Sequence, residues 1–136
     1  MSNIKKNRIT SQKQIIIEEL RKTKIHPTAD QLFQTVREKL PRISLGTVYR
    51  NLDIMSKEMI ILKLDFGDGK KHFDGDTCNH YHIYCTSCEK VDDLAEEAVK
   101  EFEINPQLFK NYKITGHCIN FFGICNECLL KIIANE

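Results

Sequence analysis

The stretch Ser44-Leu45-Gly46-Thr47-Val48-Tyr49-Arg50-Asn51-Leu52 decides the fold of the first half of this chain. Ser44 offers a side-chain oxygen to cap a helix. Beyond it Leu45, Val48, Leu52 and Met55 recur at intervals of three, four and three, which lays one apolar stripe along a helix. Gly46, Arg50, Asp53 and Lys57 fall on the other side, with Tyr49 on the flank. An apolar back and an Arg/Tyr front are what a helix needs to pack on a core while reading a DNA groove.

The neighbouring segments extend that pattern in both directions. Upstream, Ser11 to Thr23 predicts a helix capped by Thr10 or Ser11, with Ile16 and Leu20 four apart and Arg21, Lys22 and Lys24 at its end. His26-Pro27 breaks it. Thr28-Ala29-Asp30-Gln31 then has capping-box form, and Ala29, Leu32, Phe33, Val36 and Leu40 keep helical spacing until Pro41. Downstream, Ile60 to Phe66 and Lys70 to Asp74 read as strands around Gly67-Asp68-Gly69, whose glycines suit the positive-φ positions of a hairpin. Three helices and a hairpin predict a winged helix-turn-helix over residues 1–76.

Residues 77–136 follow a different rhythm. Tyr81 to Leu94 predicts strand, knuckle and strand, Ala95 to Ile104 a helix, Lys113 to Ile124 a long strand, and Cys125 to Ala134 a closing helix. The fold class expected is α+β: an N-terminal winged helix-turn-helix followed by a small α+β metal-binding domain.

Six cysteines occur in the chain, and four of them form the pairs Cys85-x2-Cys88 and Cys125-x2-Cys128, 36 residues apart. Two such knuckles can deliver four thiolates to one tetrahedral ion, and thiolates match the borderline softness of Zn²⁺. Four like ligands leave no open position, so a structural zinc is expected. Thioredoxin-like redox chemistry lacks its βαβ setting here. Cys78 and Cys118 read as small buried or semi-exposed thiols, with a redox or metal-ligating role as the alternative.

A second cluster carries nitrogen and oxygen donors. His80 and His82 sit at strand spacing, so both imidazoles share a face. Asp74 and Asp76 precede them and Asp92 and Asp93 follow, a mixed set suited to Fe(II), Mn(II) or Zn(II). Spacing does not choose among these carboxylates.

The net charge of +1 hides an asymmetry: residues 1–57 carry 12 Lys/Arg against 5 Asp/Glu, and residues 78–136 carry 5 against 9. A basic first half beside an acidic second half suits contact with a polyanion through the first alone. No apolar run is long enough to span a membrane, and the basic start MSNIKKNRITSQKQ lacks the apolar stretch of a secretory signal, so a cytoplasmic location is expected. An enzyme using His80, His82 and a carboxylate is the best catalytic alternative, but no substrate-pocket motif accompanies the cluster.

The chain resembles the ferric uptake regulator family along nearly its whole length. His26-Pro27-Thr28-Ala29-Asp30, the Ser44 to Leu52 stretch, His72-Phe73-Asp74, His80-Tyr81-His82 and both C-x2-C pairs stand in that family's order and spacing. The resemblance implies a metal-dependent, sequence-specific transcriptional repressor, not an enzyme. It implies a regulatory Fe(II) or Mn(II) held by His26, Asp74, His80, His82 and Asp93. It also implies a homodimer formed through the C-terminal domain and bound to a palindromic DNA operator, with no membrane association and no organic cofactor.

Asn79-His80-Tyr81-His82, with Asp93 as fifth ligand, resembles the family's peroxide-sensing branch, where iron-catalysed oxidation of a ligand histidine releases DNA. His26 and His80 are the oxidation-sensitive residues by position. An iron-, manganese- or zinc-uptake repressor is the alternative. The extra metal site of some iron-sensing members is not expected, since Asn79 and Lys100 replace two of its ligands and His117 alone remains. On the recognition helix, Tyr49 is expected against thymine methyls and Arg50 on phosphate or a base edge. Lys13, Lys70 and Lys71 are the phosphate candidates. His72 is read as a surface residue.

Overall fold

The computed structural model describes residues 2–77, 81–95, 97, 105–114 and 119–135, with the backbone alone described for 2–10, 106 and 108. The chain divides into two compact units, Met1–Cys78 and Asn79–Glu136.

The first unit contains α1 (Ser2–Lys22), α2 (Ala29–Lys39), α3 (Leu45–Lys57), β1 (Leu62–Asp65) and β2 (Lys71–Asp74). Local chemistry fixes the last two helix starts. Thr28 forms a complete capping box with Gln31, and Ser44 accepts from Thr47 N–H. The first helix starts nine residues before the expected Ser11, which therefore caps nothing. No proline or glycine lies between Ser2 and Thr10 to stop it.

Ile16 and Leu20 from α1, Leu32 and Val36 from α2, and Val48, Leu52 and Met55 from α3 meet in one core. At roughly 1.5–3 kcal/mol for each fully buried aliphatic side chain, these residues dominate the unit's stability. The hairpin β1–β2 pairs Leu62 with Asp74 through Asp65 with Lys71, closed by Gly67 and Gly69, both at φ +79°. Phe73 docks the hairpin onto the helical core. This is a winged helix-turn-helix.

The second unit contains β3 (Tyr81–Cys85), β4 (Val91–Leu94), β5 (Asn120–Gly123) and α4 (Asn126–Ala134), with a 3-10 turn at Pro106–Phe109. The sheet order is β4-β3-β5, antiparallel on one side and parallel on the other. Of the long strand expected over Lys113 to Ile124, the described residues form strand only at Asn120–Gly123, which pairs along His82 to Cys85 of the five-residue β3, and 115–118 lie outside the described residues. Lys113 and Ile114 lie outside any strand. The helix expected over Ala95 to Ile104 falls mostly outside the described residues, as do Cys78, Asn79, His80, Lys100, His117 and Cys118. Among the described residues, no helix is long and apolar enough to cross a membrane.

Candidate metal centres and DNA-facing surface

Parallel pairing of β5 with β3 sets Gly123 beside Cys85, two residues before Cys125. Gly123 O accepts from both the backbone N–H and the hydroxyl of Thr86, which ties the end of β5 to the first knuckle. Within that knuckle, Glu89 takes φ +66°, its N–H bonds Cys85 O, and Cys85 N–H bonds Lys90 O. Cys125 then stands at the N-cap of α4, and Cys128 follows in the helix.

The four sulfurs lie within 4.8 Å of one another, with Cys85–Cys128 and Cys88–Cys125 each separated by 3.9 Å. Four sulfurs about 2.3 Å from a tetrahedral ion stand about 3.8 Å apart. A disulfide requires about 2.05 Å. The arrangement fits a closed structural zinc site and not a pair of disulfides.

Backbone N–H groups of Cys88 and Cys125 point at Cys85 Sγ from 3.5 and 3.4 Å and bring its thiol down to about 6. Cys128 is pushed up to about 11: the Ser87 side chain pulls it downward, but the Cys125 sulfur, burial and the sulfurs of Cys88 and Cys85 together outweigh that pull. A cation among the sulfurs removes this opposition by favouring thiolate at all four.

Histidine and carboxylate are paired in each unit. In the first, His26 Nε2 lies 3.6 Å from Asp74 Oδ2, and both side chains are buried. His26 has φ +52°, a left-handed backbone unusual outside glycine. In the second unit His82 stands directly opposite Asp93 across β3–β4, with Nε2 3.4 Å from Oδ1. That register leaves Asp92 opposite Ile83, and Asp92 pairs with Lys90 instead. Asp76 turns its N–H onto Asp74 Oδ1. Each pair supplies one imidazole and one carboxylate, a donor set suited to a divalent ion of intermediate hardness.

His72 is not the surface residue the sequence suggested, being only 5% exposed. All of His72, Phe73 and Asp74 are buried in β2, because the strand is covered on both faces. Phe73 meets the helical core, while the His72 ring bonds His26 O and packs edge-on against Phe66. Strand alternation alone gave no sign of a second covering layer.

On α3, Tyr49 is 44% exposed and donates its hydroxyl to Asp30 Oδ2 at 3.1 Å. Burial, followed by the Asp30 carboxylate, raises the phenol above its ordinary range, so at neutral pH it is a donor. Arg50 is exposed and rests on Thr47 Oγ1. Lys13 pairs with Glu58 at 3.1 Å, and Lys71 pairs with Asp65. Lys70 is exposed, and its N–H bonds Asp68 in the turn.

A sequence model of the ferric uptake regulator family matches residues 5–122, which leaves Cys125 and Cys128 outside the match and resting on the sulfur geometry. Over 121 residues the chain is 37% identical to the peroxide-responsive repressor PerR of Staphylococcus aureus, covering 89% of this chain and 82% of that protein. Among solved structures, the Campylobacter jejuni peroxide stress regulator superposes with TM-score 0.77 at 25% identity, covering 93% and 97% of the two chains. The Helicobacter pylori ferric uptake regulator Fur, described as having three functional metal-binding sites, gives TM-score 0.71 at 23% identity over 88% and 80%.

Proposed function

We propose that this chain, which belongs to the ferric uptake regulator family, is a metal-dependent DNA-binding repressor that lets go of its operator when peroxide oxidises a ligand histidine. The observation that carries the reading is the presence of a histidine–carboxylate pair in each unit, His26 with Asp74 and His82 with Asp93. A ligand shifts a conformational equilibrium only through unequal affinity for its two states, so in this reading the ion binds the DNA-binding state more tightly.

In this reading His26, Asp74, His80, His82 and Asp93 hold Fe(II) or Mn(II), while Cys85, Cys88, Cys125 and Cys128 hold Zn(II). The regulatory ion supplies charge compensation and, as Fe(II), the redox partner for peroxide. The side chains do the rest. Ligation favours the DNA-binding state, in which α3 offers Tyr49 and Arg50 to the major groove. Lys13, Lys70 and Lys71 are assigned to phosphates, where Lys13 and Lys71 exchange Glu58 and Asp65 for the backbone of DNA.

A homodimer accounts for the apolar residues Leu129, Leu130, Ile132 and Ile133 exposed on α4, and a two-fold dimer calls for a palindromic operator. The name of the Staphylococcus aureus relative supports the peroxide-responsive reading. A cytoplasmic location follows from DNA as the partner.

The test is operator binding by the full-length chain, with the operator selected from randomised duplexes in Mn(II). Binding is then measured in Fe(II) and Mn(II), before and after hydrogen peroxide. The Fe(II) form is expected to lose DNA and gain one oxygen atom on the peptide containing His26 or His80, while the Mn(II) form keeps both. Oxidation confined to the four cysteines would replace this mechanism with a thiol switch. Affinity independent of either metal would overturn the repressor reading, and Arg50→Ala is expected to lose about 1–3 kcal/mol of operator binding.

A further inference from the structure

His26 occupies a backbone conformation that the local sequence does not favour. Its φ of +52° is costly for a residue with a Cβ, and a following proline restricts the residue before it further toward extended conformations. Such a conformation persists only where surrounding groups over-determine it. In the first unit those groups come from β2. Phe73 N–H donates to Pro27 O at 2.9 Å, a bridge joins Thr28 to His72, and the His72 ring reaches the carbonyl of His26 itself at 3.0 Å.

The chemistry at the His72 ring is one-directional. A carbonyl oxygen only accepts, so His72 Nδ1 carries the hydrogen in that contact. The other ring nitrogen faces Asp68 Oδ2 at 3.3 Å, and because a carboxylate only accepts, that contact needs a hydrogen on Nε2 as well. Asp68 belongs to the Gly67-Asp68-Gly69 turn and is itself held by Lys70 N–H at 3.0 Å on Oδ1. Phe66 walls the ring with an edge-on contact, its centroid 5.7 Å away. A continuous path therefore runs from the tip of the wing through Asp68 and His72 to the backbone of His26.

We propose that His72 is a positioning residue for the ligand His26: by donating Nδ1–H to the His26 carbonyl it holds the left-handed turn that aims the imidazole beside Asp74, with Asp68 orienting His72 from the wing turn. The proposal rests on His26 being a ligand of the regulatory ion. A buried histidine that merely filled space would need neither a hydrogen on Nδ1 nor a carboxylate behind it. Residues that orient a ligand without touching the ion typically govern metal affinity by about 10–100-fold.

The two ring nitrogens can be imitated separately. The amide nitrogen of Asn replaces Nδ1, and that of Gln replaces Nε2, while Phe fills the volume with no donor. Mn(II) binding to the full-length, zinc-loaded chain without DNA is measured by titration calorimetry, together with the Mn(II) electron paramagnetic resonance spectrum. H72F and H72Q are expected to raise the Kd at least about tenfold and change the spectrum, and H72N to stay within about threefold of the wild type. Zinc content and cooperative melting are followed in parallel, and the zinc content is expected to be unchanged.

An H72F Kd within twofold of the wild type would overturn the proposal, as would H72N binding as weakly as H72F. If H72F does not fold, the contrast between H72N and H72Q carries the same test. His26→Ala separates this idea from the reading beneath it. Unaltered Mn(II) affinity in that variant removes His26 from the site altogether, whereas lost affinity in His26→Ala with normal affinity in the His72 variants rejects positioning alone.

Discussion

The hydroxyl of Tyr49 on α3 donates to the carboxylate of Asp30 on α2 at 3.1 Å, so an exposed aromatic ring is held at its tip by the neighbouring helix. A ring held in this way loses less freedom when it meets a base. Asp30→Ala is therefore expected to weaken operator binding by about 2–10-fold, the worth of one net hydrogen bond, with little change in Tm. Electrophoretic mobility shifts at fixed Mn(II) check this, and unchanged binding would mean that Tyr49 is positioned by packing alone.

Cys125→Ser separates the metal from the helix it caps. Serine is a good N-cap, and Cys125 makes no side-chain capping bond, so the change favours α4 locally while removing one of the four sulfurs. Loss of bound zinc and unfolding of the second unit, by several kcal/mol, are expected because metal binding and folding are linked in such sites. Zinc released to a chromogenic chelator and far-ultraviolet circular dichroism provide the readouts. A variant that keeps zinc and melts normally would remove the staple role.

Glu19 is a buried carboxylate in α1 with Lys39 Nζ at 2.6 Å and Lys22 Nζ at 3.1 Å. The hydrogen bond from Lys39 holds its pKa below the ordinary 4.5, against the opposing effect of burial and with help from Lys22. Because the folded value is depressed, the stabilisation is present above the unfolded value and is lost as pH falls through the folded one. Glu19→Gln is expected to cost about 1–2 kcal/mol at neutral pH. The gap from the wild type should begin to narrow below about pH 4.5 and close only once the pH lies below the folded value. Urea unfolding at pH 7, and at a series of values falling from about pH 5, tests both halves of that statement.

Gly75 follows Asp74 and lies against α1, where an added Cβ would come within 2.8 Å of Arg21 Cγ and 3.3 Å of the Arg21 Cα and backbone nitrogen. The side chain of Arg21 can swing away, but its backbone inside a 21-residue helix cannot. Gly75→Ala is expected to lower stability by about 1–3 kcal/mol through overpacking. A thermal melt indistinguishable from the wild type would show that the end of the hairpin yields freely.

What the sequence disclosed depended on how local each interaction was. Thr28 with Gln31 and Ser44 with Thr47 act across three residues, so α2 and α3 were legible, as was the turn at Gly67 and Gly69. The four cysteines were legible because each knuckle is a local spacing. His72 was missed because its partners, the His26 carbonyl and the Phe66 ring, belong to other segments of the fold. The extent of the strand at Asn120–Gly123 was not legible for a related reason, since it pairs with β3, a distant segment. Spacing also left Asp92 and Asp93 equal, and only the β3–β4 register sets Asp93 opposite His82.

The left-handed backbone at His26 also bears on what else that position could hold. Glycine would relieve the strain at that position by about 1–2 kcal/mol, but it would also empty the buried space beside Asp74 that the imidazole fills. Backbone ease and packing are therefore opposed at one residue, and any substitution there exchanges one cost for the other.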